Sequence, residues 1–252
     1  MNIIRIDHEN IETEHICCAI SDKKGDACVS SKKAWMKNQF ENGLVFKRLD
    51  ARGKAFIEYI PAENAWCPID AVGYMFINCF WISGQFKGHG YANELLKDCI
   101  DEAKAQNKKG LVVLSSVKKM PFLSDPKYLK HKGFRVCDAA KPYYELLFLP
   151  FLDDVSEPRF KDCCKNASTD DRGMVLYYTN QCPHTEKYAP LIAEIAKEKG
   201  QTVTLKKIES AAQAQNAPAP FTTYSFFYDG AFVTNEIFSE SKFKKFLAEK
   251  GL

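Results

Sequence analysis

No stretch of this sequence is apolar for long enough to cross a bilayer, which takes about 20 consecutive apolar residues. The run from Tyr74 to Ile82 is one strand long. The opening MNIIRIDHEN lacks the basic and then apolar pattern of a secretory signal, so a cytosolic protein is expected. An excess of one charge is also missing: 35 basic against 32 acidic residues leave +3. Met1–Pro150 carries 22 and 18 of them, and Phe151–Leu252 carries 13 and 14. Neither half has the basic excess of a nucleic-acid footprint. There is no C-x-x-C among the ten cysteines, and the adjacent pairs Cys17-Cys18 and Cys163-Cys164 are poorly placed to share a metal. No metal site is expected, and the thiols read as reduced cytosolic cysteines, with Cys79 and Cys99 as small core residues. Internal repeats are absent too.

What is present is organised around Tyr74–Leu96, YMFINCFWISGQFKGHGYANELL. Tyr74–Ile82 carries no charge and reads as a buried strand. Ser83 and Gly84 break it, and Tyr91, Leu95 and Leu96 restart at helical spacing, giving strand, glycine loop, helix. A helix start leaves N–H groups unpaired and carries partial positive charge, which suits a phosphate. The loop lacks the Gly-Lys-Ser/Thr of a Walker motif. It also lacks the third small residue of a dinucleotide fingerprint, because Asn93 stands there. Gln85, Gly88 and Gly90 do form Q-x-x-G-x-G.

Around this centre the pattern predicts a strand at Asn2–Ile6, a helix over Ile11–Ile20 opened by Asn10, and a helix from Ser30 or Ser31 through Gln39 closed by Gly43. Strands at Leu44–Leu49 and Ala55–Ile60 flank the turn Asp50–Gly53. After the helix Tyr91–Gln106 come a strand at Leu111–Ser115, a short helix at Lys127–Lys132, and strands at Phe134–Cys137 and Tyr143–Leu149. Residues 151–172, rich in Asp, Ser, Pro and Lys, read as a linker. Residues 173–252 then read as strand (Met174–Tyr178), loop, helix (Thr185–Lys199), strand (Thr202–Ile208), turn, hairpin (Thr223–Tyr228 and Ala231–Thr234) and helix (Ser239–Lys250).

The Q-x-x-G-x-G loop and this element order resemble the GNAT N-acetyltransferases over residues 1–150. Segments such as IEYIPAENAWCPI, FLSDPKYLKHKGF and PYYELLFLPF resemble the YoaP-like subgroup, which carries an extra domain after the transferase. The implied fold class is α/β (α+β): a GNAT fold with a mixed central sheet, followed by a small thioredoxin-like α/β domain. Cys182-Pro183-His184-Thr185 stands where that second fold keeps its C-x-x-C, with Thr185 in place of the second cysteine. Thr222 stands near the place of the usual proline, and Pro220 falls two residues early.

The resemblance implies acetyl transfer from acetyl-CoA, as co-substrate, to a primary amine of a small molecule or peptide, directly within a ternary complex. The main chain of Phe80, Trp81 and Ile82 would hold the thioester and pantetheine. Gln85, Phe86, Lys87, Gly88, His89 and Gly90, with the helix-opening Tyr91 and Ala92, would take the pyrophosphate. Glu58 is the candidate base, with Glu63 the alternative. The family's proton-donating tyrosine aligns with Leu129, and Tyr128 takes the preceding aromatic position. Cys182, at a helix start near His184, is the redox candidate, with an expected depressed pKa. The alternative reading is a CoA-binding or thiol-sensing protein with a degenerate transferase site.

Overall fold

The computed structural model describes residues 2–16, 18, 19 and 27–252. Its first half is a seven-stranded mixed sheet. The strands are β1 (Ile3–Ile6), β2 (Val45–Leu49), β3 (Ala55–Pro61), β5 (Met75–Ile82), β6 (Gly110–Ser116), β7 (Arg135–Ala140) and β8 (Tyr144–Pro150), with the two-residue β4 (Ile69–Asp70) outside it. They lie in the order β1-β2-β3-β5-β6-β8-β7. Neighbours are antiparallel except β5 and β6, which are parallel and joined through α2 (Tyr91–Ala105).

Period-two alternation sorts the central strands between two faces. Ile57, Tyr59, Ile77, Leu111 and Val113 pack under Leu95, Leu96 and Cys99 of α2. Phe46, Phe56, Phe76, Val112 and Phe148 fill the other face with Trp35 and Met36 of α1 (Cys28–Phe40). The second half has its own four-stranded sheet of β10 (Met174–Tyr178), β11 (Val203–Lys207), β12 (Tyr224–Tyr228) and β13 (Ala231–Thr234), in the order β11-β10-β12-β13. The β10 and β11 strands are parallel and the other neighbours antiparallel. Two long helices, α5 (Pro183–Glu198) and α7 (Glu240–Lys250), complete it. A separate core of Leu176, Ile192, Phe226, Phe243 and Phe246 holds this half together.

Several expectations change. The segment from Asp7 to Glu14 forms hydrogen-bonded turns, not the start of a helix: Asn10 Oδ1 accepts from the Asp7 N–H while Ile11 and Ile16 are buried. The end of that expected helix lies outside the described residues. The next helix begins two residues earlier than its serines suggested, and Ser30 donates back to the Ala27 carbonyl. The stretch 151–172 is not a free linker. Phe160, in β9 (Arg159–Phe160), pairs with Ile69 of β4 and is buried, as is Cys164 in the short α4 (Asp162–Lys165). Composition missed this because two apolar side chains suffice to pin a polar segment.

The halves meet across a bonded interface. Thr222 Oγ1 donates to the Trp66 carbonyl, and Asn235, wholly buried, accepts from Tyr143 Oη at 2.6 Å and donates to the Pro121 carbonyl at 2.9 Å. The Trp66 carbonyl bond is what Thr222 contributes where a proline was anticipated.

Candidate active site

The β5 strand changes partners along its length. It pairs with β3 throughout, from Pro61 opposite Met75 to Ala55 opposite Ile82. Its register with β6 stops at Ile77 opposite Val113, although β6 runs on to Ser116 beside β8. A bulge between Glu58 and Tyr59, with Asn78 as the extra residue of β5, sits at the point of parting. Bulges bend a strand and end pairing. From Asn78 to Ile82 the β6 side of the backbone is therefore open. A cavity of about 220 Å³ lies there, walled by Phe80, Trp81, Ile82, Lys87, Ala92 and Tyr128 among others.

The glycine loop stands at the same end. Gly84, Gly88 and Gly90 have φ of +54°, +82° and +83°, and nothing lies within 4 Å of where a Cβ would sit on any of them. Positive φ favours glycine, and the empty space leaves the main chain approachable. Gly90 is the N-cap of α2, and its carbonyl takes the Asn93 and Glu94 amides. The amides of Tyr91 and Ala92 have no carbonyl behind them in the helix. Lys87 and His89 are exposed on the loop, as is Gln85. Phe86 is different: it is buried with Leu49 and Ala55, so its side chain anchors the loop instead of facing a ligand. A Cβ on Gly53 would come within 2.4 Å of that ring, so the hairpin turn there must stay bare.

Glu58 is not the solvated strand residue that its neighbours allowed. It is 1 % exposed and ion-paired with Lys32 Nζ of α1 at 2.6 Å, and it accepts from Asn78 Nδ2 at 3.2 Å. Lys32 is equally buried and lies 4.2 Å over the Trp35 ring. Glu58 shares a sheet face with its ladder neighbour Cys79 and with Phe56 and Trp81. Its helix partner Lys32 was not singled out in the sequence, because no local pattern links residues 26 apart. Glu63 does not join this group. It lies past the far end of β3, where its carboxylate accepts from the Gly73 amide at 2.7 Å and stands 3.7 Å from Lys108 Nζ.

Asp125 caps α3 (Pro126–His131) by accepting from the Lys127 and Tyr128 amides. That cap points Tyr128 into the cleft and Leu129 into the core, where Leu129 is 1 % exposed. Tyr128 packs edge-on against Phe80 at 5.7 Å and donates to Asn93 Oδ1 at 3.2 Å. Burial raises its pKa to about 12, so the phenol keeps its proton at neutral pH.

Cys182 reverses its expectation. It is the N-cap of α5, but burial raises its pKa, outweighing the His184 amide and the cations around it. Burial, then Lys54 and Lys187, lower the His184 pKa, so the imidazole is neutral near pH 7 and supplies no charge to the thiol. Among the described cysteines the exposed one is Cys163. The Thr185 hydroxyl, in place of a second cysteine, donates to the Thr179 carbonyl at 2.6 Å and ties the helix start to the strand before it. No group of three or more His, Cys, Asp or Glu among the described residues is placed to hold a metal ion. No helix among them is long and apolar enough to cross a membrane.

The sequence pattern of the YoaP-like family matches residues 203–245, from β11 into α7. The "Uncharacterized N-acetyltransferase YoaP" of Bacillus subtilis (strain 168) is 43% identical over 247 residues, spanning 98% of both chains. Among solved structures, Ard1 from Thermoplasma volcanium is 11% identical over 60% of this chain and 98% of its own, at a TM-score of 0.41. The GNAT family N-acetyltransferase YhbS from Escherichia coli, solved in complex with CoA, is 12% identical over 64% and 89%, at 0.42. With 43% of residues shared along nearly the whole of both chains, the protein belongs to the YoaP-like N-acetyltransferase family.

Proposed function

We propose that the protein is a cytoplasmic, acetyl-CoA-dependent N-acetyltransferase that acetylates a primary amine of a small molecule or peptide by direct transfer in a ternary complex. The observation that carries this reading is the parting of β5 from β6 after Ile77, beside the glycine loop. The open backbone edge suits a pantetheine arm, and the bare glycines with the α2 amides suit a pyrophosphate. Acetyl-CoA, once bound, supplies an acetyl group activated as a thioester.

The chain's own residues then have distinct tasks. The main chain of Phe80–Ile82 orients the arm and donates toward the carbonyl oxygen. Gln85, Lys87, Gly88, His89 and Gly90, with the Tyr91 and Ala92 amides, hold the phosphates. Glu58, fixed by Lys32 and Asn78, accepts the proton that the acceptor ammonium gives up. Tyr128 keeps its proton at neutral pH and holds it at Oη for the departing thiolate. The β11-β10-β12-β13 order, with one parallel and two antiparallel neighbours, supports a thioredoxin-like second domain over residues 173–252 that lacks the second cysteine of a dithiol cycle. A second reading, a thiol-sensing CoA-binding protein, is favoured by one observation: Cys18, Cys79 and Cys182 wall one cavity.

The test is a melting curve with acetyl-CoA. A ligand specific to the native state adds about 2.7 kcal/mol at a hundredfold excess over Kd. Gly90→Val, which forces a branched residue into positive φ and covers the loop amides, abolishes the shift. A wild-type curve unmoved by millimolar acetyl-CoA refutes the reading; binding without transfer to any amine favours the sensor.

A further inference from the structure

Trp81 is 46% exposed although it ends the central strand. It lines three cavities, two of them large. One is the cleft on the β6 side. The other, of about 510 Å³, opens between the two halves of the chain beside Cys79 and Trp81, with Phe56, Phe122, Tyr188 and Ile237 as its apolar walls. Its volume is that of a small-ligand pocket. A thioester held along the open edge of β5 would therefore have a second chamber on the other side of the same short segment.

We infer that this chamber is the acceptor site, and that it selects a primary amine on an apolar, ring-sized body with a neutral or acidic far end, excluding polyamines and basic peptides. The inference rests on the acetyl-transfer reading and adds the substrate class.

Four observations carry it. The walls are mostly aromatic and aliphatic side chains, which reward burial of an apolar body. Among the described residues no carboxylate lines the chamber, and Glu58, across the ladder from the lining residue Cys79, is already paired with Lys32. Among the described lining residues the full cation is Lys54, and no described carboxylate bonds to it, so a second positive charge on the ligand meets repulsion and a negative one attraction. A partner for the amine itself is also present. Asn78 Oδ1 is buried without a hydrogen-bond donor among the described residues, and Asn78 lines a pocket of about 40 Å³ that shares Cys79, Trp81 and Phe122 with the chamber. An amine has N–H groups to give it, and a buried acceptor left unpaired is costly.

The second half of the chain shapes the chamber as well as closing it. Tyr188 and Ile237 are its own wall residues, and its Asn235 donates to the Pro121 carbonyl. Pro121 and Phe122 line the chamber, and Phe122 sits at φ +63°, a conformation that is strained for a non-glycine residue and persists only when neighbours impose it.

The experiment uses the full chain and four probes: tryptamine, tryptophan, spermidine and a lysine-containing octapeptide. The expected result is a kcat/KM for tryptamine or tryptophan at least about tenfold above the two basic probes. Lys54→Glu, an exposed change outside the proposed catalytic set, should shift the tryptophan-to-spermidine ratio at least about fivefold toward spermidine through charge alone. In parallel, without acetyl-CoA, tryptamine or tryptophan should slow iodoacetamide labelling of Cys182, which lines the chamber. Preference for spermidine or the peptide overturns the inference while leaving acetyl transfer intact. So does an unchanged ratio in Lys54→Glu. Failure of both indole amines to protect Cys182 overturns it whether or not acetyl-CoA binds.

Discussion

Lys32 and Glu58 are each 1% exposed and 2.6 Å apart, so replacing Lys32 with Met strands a carboxylate in the core. Breaking a buried pair from one side costs about 3–5 kcal/mol, because the remaining ion keeps its desolvation penalty and loses its partner. At about 2–4 °C per kcal/mol for a chain of this size, the melting temperature should fall by about 6–20 °C. The assay is tryptophan fluorescence during urea and thermal unfolding. All three tryptophans, Trp35, Trp66 and Trp81, lie in the half that holds the pair, so the signal reports on it directly. The double variant Lys32→Met/Glu58→Gln removes both charges and should recover most of the lost stability. Its acetyl transfer should nevertheless stay about 10²-fold or more below wild type if Glu58 is the proton acceptor. A single-variant cost under about 1 kcal/mol would show that the pair is not desolvated as the structure has it. A double variant no more stable than Lys32→Met would show that the cost arises from lost packing over Trp35. Restored turnover in the double variant would remove Glu58 from the chemistry.

Tyr128→Phe removes one hydroxyl from the cleft and leaves the Phe80 contact; kcat should fall about 10²-fold with the acetyl-CoA Kd unchanged, and an equal kcat would leave thiolate departure to solvent. His184 sets a pH dependence. Its folded pKa lies below the usual 6.5, chiefly through burial, so below that pH the unfolded chain binds a proton that the folded chain does not. Stability should then fall as pH drops from 6.5 toward the folded value, and His184→Asn should lose less between about pH 7.5 and 5.5 in parallel melts. Identical slopes would mean that the imidazole is solvated in the native state.

The parts of this protein that depend on neighbours in sequence were legible before the fold. Gln85-Phe86-Lys87-Gly88-His89-Gly90 declared a turn because positive φ favours glycine, and the helix after it followed from the spacing of Leu95 and Leu96 and, in the fold, the Gly90 cap. The succession of elements along the second half was legible for the same reason: alternation and turn residues are short-range signals. The environment of each reactive group was not. Glu58 read as a residue free to face water, and only a helix 26 positions earlier makes it a buried ion. Tyr128 and Leu129 were adjacent candidates for one role, and the Asp125 cap alone turns the first toward the cleft and the second into the core. Cys182 looked acidic from its helix-start position, which sequence can show. Its pKa moves the other way because burial outweighs the His184 amide. Sequence by itself determined most of the elements and the glycine loop, since those rest on local backbone preference. Tertiary structure alone decided charge states, the opening of β5 and the chamber between the halves, since desolvation and cavity walls are made by residues far apart along the chain.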